Sequence, residues 1–191
     1  MGTILEYKNL HFKQILFLYY DKCYNYDGDI NMKKGLEPIY WENSTILILG
    51  SLPGEESIKN QRYYDNKSNH FWKIVSFVFE NKHIEFNNYE EKLAFLKEHN
   101  IALWDVINCA NREGSLDSKI INEKYNDLKL MLNNSNIKHV FVNGRKAEKG
   151  LKKSKKIYGL DIEYKYLPSS SALNTKYSIL EKVHEWKKLL I

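Results

Sequence analysis

The sequence has little cysteine, no long apolar run and no cluster of metal-binding side chains. Its two cysteines, Cys23 and Cys109, lie far apart and in no metal-ligand spacing, so zinc and iron–sulfur sites are excluded and two ordinary thiols in a reducing compartment are expected. The apolar stretch Ile15 to Tyr20 is far too short to cross a bilayer, and no signal peptide is visible. No membrane association is expected, and a cytoplasmic location follows by default. The one glycine-rich turn after a strand lacks a following Gly-Lys-Ser/Thr, which excludes a phosphate-binding P-loop. No cofactor and no metal are implied.

What is present is ordinary in bulk and specific in detail. The 191 residues, 43% hydrophobic and 28% charged, suit one globular domain with a real core. Lysine and arginine number 29 against 24 acidic residues, so the net charge of +5 permits a polyanionic partner without demanding one. Aromatics make up 14%, with 14 tyrosines, which serve equally as core filler or as stacking platforms for bases.

Along the chain, Leu5 to Tyr20 reads as a helix with an apolar face and "NYDGD" as a turn. Residues 1–33 are expected to be an N-terminal extension and residues 34–191 the main domain. Thr45–Leu49 (TILIL) is apolar without alternation, as in a strand buried on both faces. Ile101–Ile107 reads as a second strand, Val140–Val142 as a third and Ile162–Leu167, which alternates, as an edge strand. Helices are expected at Phe71–Phe79, Tyr89–Glu98, Tyr125–Leu132 and Arg145–Lys153. A last one at Lys176–Ile191 would have Ile179, Leu180, Val183 and Trp186 on one side. The alternation predicts a three-layer α/β/α sandwich with a short, mainly parallel four-stranded sheet. In such sheets ligands collect beyond the carboxyl ends of the strands.

Four turns would line that rim. GSLPG, Gly50 to Gly54, is either a tight strand-to-helix turn or a backbone that lets an anion or a base carbonyl come close. In "RYYDNKSNHFW", Phe71 and Trp72 read as core anchors, and Asn69 as an N-cap or as an amide that orients water. VNGRKA ends the third strand. LPSSSALNT, Leu167 to Thr175, is a polar loop capping the last helix or a hydroxyl-rich grip on phosphates with a small wedge for DNA.

Taken in order, GSLPG, YYDNKSNHFW, ALWDVINCANREGSLDSKI, VFVNGRKA and LPSSSALN resemble the uracil-DNA glycosylase superfamily, and most closely its hypoxanthine-DNA glycosylase branch. GLEPIY, Gly35–Tyr40, fits that branch's lead-in to the first strand. The resemblance implies base excision repair of deaminated bases, hypoxanthine or uracil, flipped out of DNA for hydrolysis of the N-glycosidic bond. It implies a partner, DNA with a damaged base, and nothing in the sequence requires more than a monomer. Tyr64 would stack on the base, Gly50, Ser51, Leu52, Pro53 and Gly54 would floor the pocket, and Asn143 matches a further polar position. Asn69 would orient the attacking water, with Asp105 as second catalytic candidate. Ser169, Ser170, Ser171, Leu173 and Asn174 would enter or grip the duplex, with Leu173 or its neighbours as the wedge.

Three departures stand out. Leu52 takes a slot where uracil-removing relatives put Asp or Asn, Leu167 one that often holds His, and Ala172 one where the branch tends to carry proline. With no motif lysine placed as a Schiff-base nucleophile, the expected enzyme is monofunctional. Lys152 and Lys153, within the run RKAEKGLKKSKK, are either a solvated face or phosphate contacts. The competing readings are another base specificity on the same scaffold and a catalytically silent binder of DNA or nucleotides.

Overall fold

The structure is a computed structural model that describes residues 32–191. The expected helix Leu5 to Tyr20, the NYDGD turn, Cys23 and nearly all of the expected N-terminal extension lie outside the described residues.

Four strands form the central sheet in the order β3-β2-β6-β7, every neighbouring pair parallel. They are β2 (Ile46–Gly50), β3 (Ile101–Asp105), β6 (His139–Asn143) and β7 (Lys165–Leu167). β2 and β3 are buried at every residue, which explains their unbroken apolar sequence. Side chains still alternate between faces. Leu47 and Leu49 join one core with Trp104, Val142 and Leu151, whereas Ile46 and Ile48 join the other with Phe71, Leu96 and Trp186. The helices flanking the sheet are α1 (Glu55–Asn60), α2 (Phe71–Glu80), α3 (Tyr89–Glu98), α4 (Leu128–Asn133), α5 (Arg145–Tyr158) and α6 (Ile179–Trp186).

The expected single strand Ile101–Ile107 is in fact two. β3 stops at Asp105, and after Val106 the chain enters β4 (Ile107–Asn111), which belongs to a separate antiparallel sheet ordered β1-β4-β5. β1 is Met32–Lys34 and β5 is Ile121–Tyr125. The expected domain boundary after residue 33 therefore falls inside a strand that pairs with β4. The break is fixed by backbone hydrogen bonds: Val106 and Ile107 donate to the carbonyls of Gly50 and Ser51, tying the crossing to the first rim turn. α5 packs so closely here that a Cβ on Gly150 would meet Val106 Cγ2 at 2.6 Å.

Other boundaries shift in the same way. Tyr125 ends β5 rather than starting a helix, and α5 runs on to Tyr158. The last helix is confined to Ile179–Trp186, capped by Ser178 in a reciprocal capping box with Glu181. Leu180, expected on its apolar face, is exposed, while Lys182 is buried. Cys109 is buried in β4 and disulfide-bonded, not the ordinary thiol expected.

Candidate active site

Strand register brings the rim residues together. Gly50 pairs with Asp105 across β2 and β3, and Asn143 with Leu167 across β6 and β7. Beyond these strand ends opens a cavity of about 600 Å³. Tyr64, Asn69, Ser51, Asp105 and Asn143 all line it, as does the loop from Ser169 to Asn174.

Each expected residue has a definite setting. Tyr64 has φ of 53°, an uncommon conformation for a bulky residue and one costing about 1–3 kcal/mol. Its ring stacks on Phe71 at 3.8 Å between centroids, with 4° between the planes. Its hydroxyl receives a hydrogen bond from Asn143 Nδ2 (3.1 Å). Burial, with the nearby Asp105 carboxyl second, holds this phenol well above its ordinary pKa. Asn69 Oδ1 accepts from the Phe71 amide at 3.0 Å, which places the cap-like bond one residue earlier than the helix N-cap itself, His70. This bond fixes the amide at the rim and leaves the carbonyl oxygen a second lone pair. Leu52, though mostly buried in the core, lines the cavity, whereas Leu167 is fully covered, and neither side chain carries a polar group.

Asn143 is spent on bracing. Besides Tyr64, its Nδ2 donates to Ser170 Oγ (2.9 Å) and its Oδ1 accepts from the Ser170 amide (2.9 Å). Ser170, expected among the DNA-facing serines, is 1% exposed and buttresses the loop from inside. The loop has further supports: Lys182 Nζ donates to the Ser171 carbonyl (2.9 Å) and Trp186 Nε1 to the Pro168 carbonyl (2.9 Å). Gly144, at φ of 95°, admits Ser169, which a Cβ there would meet at 2.8 Å. On this rigid base Leu173 stands 72% exposed.

The cavity's electrostatics come from residues the motifs did not single out. Arg112 is buried and donates to the carbonyls of Leu52 and Pro53. In a trans peptide the next amide points the other way, so the guanidinium orients the Gly54 N–H to the opposite face of the turn. Asp117, at the start of a 3-10 turn (Asp117–Lys119), accepts from Ser51 Oγ at 2.8 Å. Its residue surface is open to solvent, but its carboxyl lines the cavity, and the crowding there raises its pKa against the opposing pull of Ser51, Arg112 and Lys146. Asp105 is 4% exposed, and its Oδ2 has no hydrogen-bond partner among the described residues. Burial first, then the charge of Asp117, push its pKa up to about 8, against the lowering effect of Arg112.

Lys152 and Lys153 do not reach the cavity. They pair with Glu148 and Glu123. The α5 residues at the cavity are Arg145, Lys146 and Lys149. Lys152 lies seven residues past Arg145, about 10 Å farther along the helix axis. The sequence signal for Asp117 and Arg112 was the segment NREGSLDS, a polar loop directly after a strand. Its partners, Ser51 and the GSLPG carbonyls, lie about sixty residues earlier, beyond the reach of any local pattern.

Comparison with known proteins agrees with this geometry. The family model of the uracil DNA glycosylase superfamily matches residues 38–189. A protein of Methanosarcina acetivorans named hypoxanthine DNA glycosylase is 41% identical over 159 residues, 82% of this chain and 96% of that protein. One of the same name from Methanosarcina barkeri is 39% identical over 116 residues, 60% of this chain and 73% of its own. A solution NMR structure of a candidate uracil DNA glycosylase from Methanosarcina acetivorans superposes with a TM-score of 0.68 at 38% identity, covering 84% of this chain and 99% of that one.

Proposed function

Because the chain belongs to the uracil DNA glycosylase superfamily, we propose that its cavity receives a deaminated base, hypoxanthine or uracil, swung out of DNA. The enzyme, a DNA N-glycosylase, then hydrolyses the N-glycosidic bond and leaves the strand intact. The observation that carries this reading is the convergence of Tyr64, Asn69 and Asp105 on one cavity beside the exposed Leu173. The names of the two curated relatives favour hypoxanthine as a substrate.

The roles follow from the contacts. Leu173 enters the stack as the base leaves it, an exchange that a floppy loop would perform poorly. The bonds from Asn143, Lys182 and Trp186 supply the stiffness that proline supplies in relatives where this chain has Ala172. Tyr64, backed by Phe71, offers its other face to the base. The bond to the base breaks first, giving an oxocarbenium-like sugar and an anionic leaving group. The Gly54 amide, oriented by Arg112 through the Pro53 carbonyl, and the other N–H groups of the Gly50–Gly54 turn stabilise the departing charge. Water held by Asn69 adds to the sugar carbon; the amide orients it, since an amide is too weak a base to deprotonate it. Lys146 is engaged in an ion pair with Glu123.

The direct test is product chromatography after incubation with duplexes holding deoxyinosine or deoxyuridine. Release of free base with an intact, alkali-labile strand is expected. Tight binding without base release would instead mark a silent lesion binder. Phosphate contacts are assigned to Arg145 and Lys149, on the cavity side of α5. Charge reversal at either is expected to reduce the slope of log affinity against log salt by about one. Reversal at Lys152 and Lys153 is expected to leave it unchanged.

A further inference from the structure

We propose that Asn143 is a positioning residue that holds the Leu173 wedge and the Tyr64 ring in one fixed register, so that the two act on the nucleotide together rather than independently. This rests on the reading that a base enters the cavity, and it names the side chain that joins the two parts of the site meeting the nucleotide.

The wedge and the ring come from distant parts of the chain, Leu173 from the loop after β7 and Tyr64 from the segment between α1 and α2. Asn143, at the carboxyl end of β6, bonds to both. Its Nδ2 donates to the Tyr64 hydroxyl (3.1 Å) and to Ser170 Oγ (2.9 Å), and its Oδ1 accepts from the Ser170 amide (2.9 Å). Both N–H donors and the carbonyl oxygen of the side chain are thereby engaged.

Tyr64 needs such a hold. A bulky residue at φ of 53° keeps that conformation only while the contacts around it over-determine it. The Phe71 stack fixes the plane of the ring, and Trp72 Nε1 donates to the Tyr64 carbonyl (3.1 Å). A stacked ring is still free to slide within its plane, and the bond from Asn143 at its tip stops that motion. The hydroxyl lies over the end of β2, where a Cβ on Gly50 would meet it at 3.4 Å.

On the other side, the loop carries the hold on Ser170 forward to Leu173. The Ser171 amide donates to Ser169 Oγ (3.3 Å), the Leu173 amide to Ser171 Oγ (3.3 Å) and Asn174 Nδ2 to the Ser169 carbonyl (3.1 Å). The segment is tied within itself and behaves as one piece. Its Ser170 carbonyl also accepts from the amide of His70, the neighbour of Asn69 (3.0 Å). Changes at residues that share a hydrogen-bond network combine non-additively in free energy, whereas independent changes add, so that their rate factors multiply.

The test is a double-mutant cycle in the full-length chain, read as single-turnover release from deoxyinosine duplexes. Tyr64→Phe keeps the ring and removes only the hydroxyl that Asn143 holds; it is expected to slow release about threefold to tenfold, the worth of one hydrogen bond. Leu173→Ala removes the wedge. The double variant is expected to be about threefold faster than the product of the two losses. In an Asn143→Ala background Tyr64→Phe should cost nothing further, and that departure from the product should vanish. Losses that multiply while Asn143 is present overturn the proposal, as does a departure that persists in Asn143→Ala. If thermal melts show Asn143→Ala unfolded, Ser170→Ala takes its place, since it deletes one of the three bonds; the departure should then shrink, and an unchanged one overturns the proposal.

A second measurement separates positioning from stability. 2-Aminopurine beside the deoxyinosine brightens as the base leaves the stack. At saturating enzyme the rate of that rise is expected to fall about threefold or more in Asn143→Ala. Lower stability alone would not move it, because only folded molecules bind. An unchanged rate overturns the proposal. Wild type that binds the duplex with no rise would overturn the base-entry reading and the proposal with it. A rise without release of base would overturn the glycosylase reading alone, and the cycle is then read on the rise.

Discussion

Replacing Asn69 with alanine is expected to slow base release by about tenfold to a thousandfold, the span seen when one positioned group is lost. Affinity for lesion-bearing DNA should change little, because the contacts proposed for Tyr64 with the base and Leu173 with the duplex do not use the Asn69 side chain. The structure sharpens this expectation. Asn69 Oδ1 also accepts from the Phe71 amide, so the variant loses a cap-like bond at the start of α2. That loss costs about 0.5–2 kcal/mol and lowers the melting temperature by a few degrees. Asn69→Asp separates the two effects. It keeps an acceptor for the Phe71 amide and restores stability, but puts a charge beside the developing cation and alters the hold on water. Stability restored without the rate, or with a changed pH profile, places Asn69 in the reaction. A single-turnover rate for Asn69→Ala equal to that of the wild type would remove it.

Gly50→Ala is expected to be as damaging, for a different reason. Gly50 and Asp105 are register partners at the carboxyl ends of β2 and β3, and the Asp105 carboxyl group fills the space where a methyl group would go. Asp105 is buried, and the Gly50 carbonyl is held by the Val106 amide, so neither partner moves freely. Overpacking of this kind costs about 1–3 kcal/mol. A displacement of the Asp105 carboxyl by about 1 Å is enough to cost about a hundredfold in rate. Thermal melts and single-turnover kinetics on deoxyinosine duplexes measure both. Gly150→Ala is the matched control, also a crowded glycine, but packed against Val106 Cγ2 on the helix side of the sheet. It should lose stability with little loss of rate in the molecules that remain folded. Equal rate losses in the two variants would mean that Gly50 acts through general stability, not through Asp105.

The kind of fold was legible because its signals are local. An unbroken apolar run such as TILIL marks a strand covered on both faces, and the amphipathic period of Tyr89–Glu98 marks a helix; the structure has both. Turn residues after strands mark a rim. Those three signals, with five motifs in order, were enough for the α/β sandwich and for a cavity shared by Tyr64, Asn69 and Ser51. The same locality explains the misplacements. The run IALWDVI carries no mark at Val106, because the chain changes sheets there through hydrogen bonds to Gly50 and Ser51, distant in sequence. Its spacing points Leu180 inward, but the buried position nearby belongs to Lys182, whose Nζ is satisfied by the Ser171 carbonyl.

The sequence by itself determined which elements form and which loops gather at one end of the sheet, since side-chain period and turn chemistry act within a few residues. Only the tertiary structure decided which polar groups face the cavity and in what state of charge. It turned Ser170 inward, set Lys152 and Lys153 outside the cavity lining, and brought Asp117 to Ser51 and into the same cavity as Asp105. Those outcomes depend on helix phase and on contacts between loops far apart in the chain. Burial and mutual repulsion of two carboxyls exist only once the loops have met.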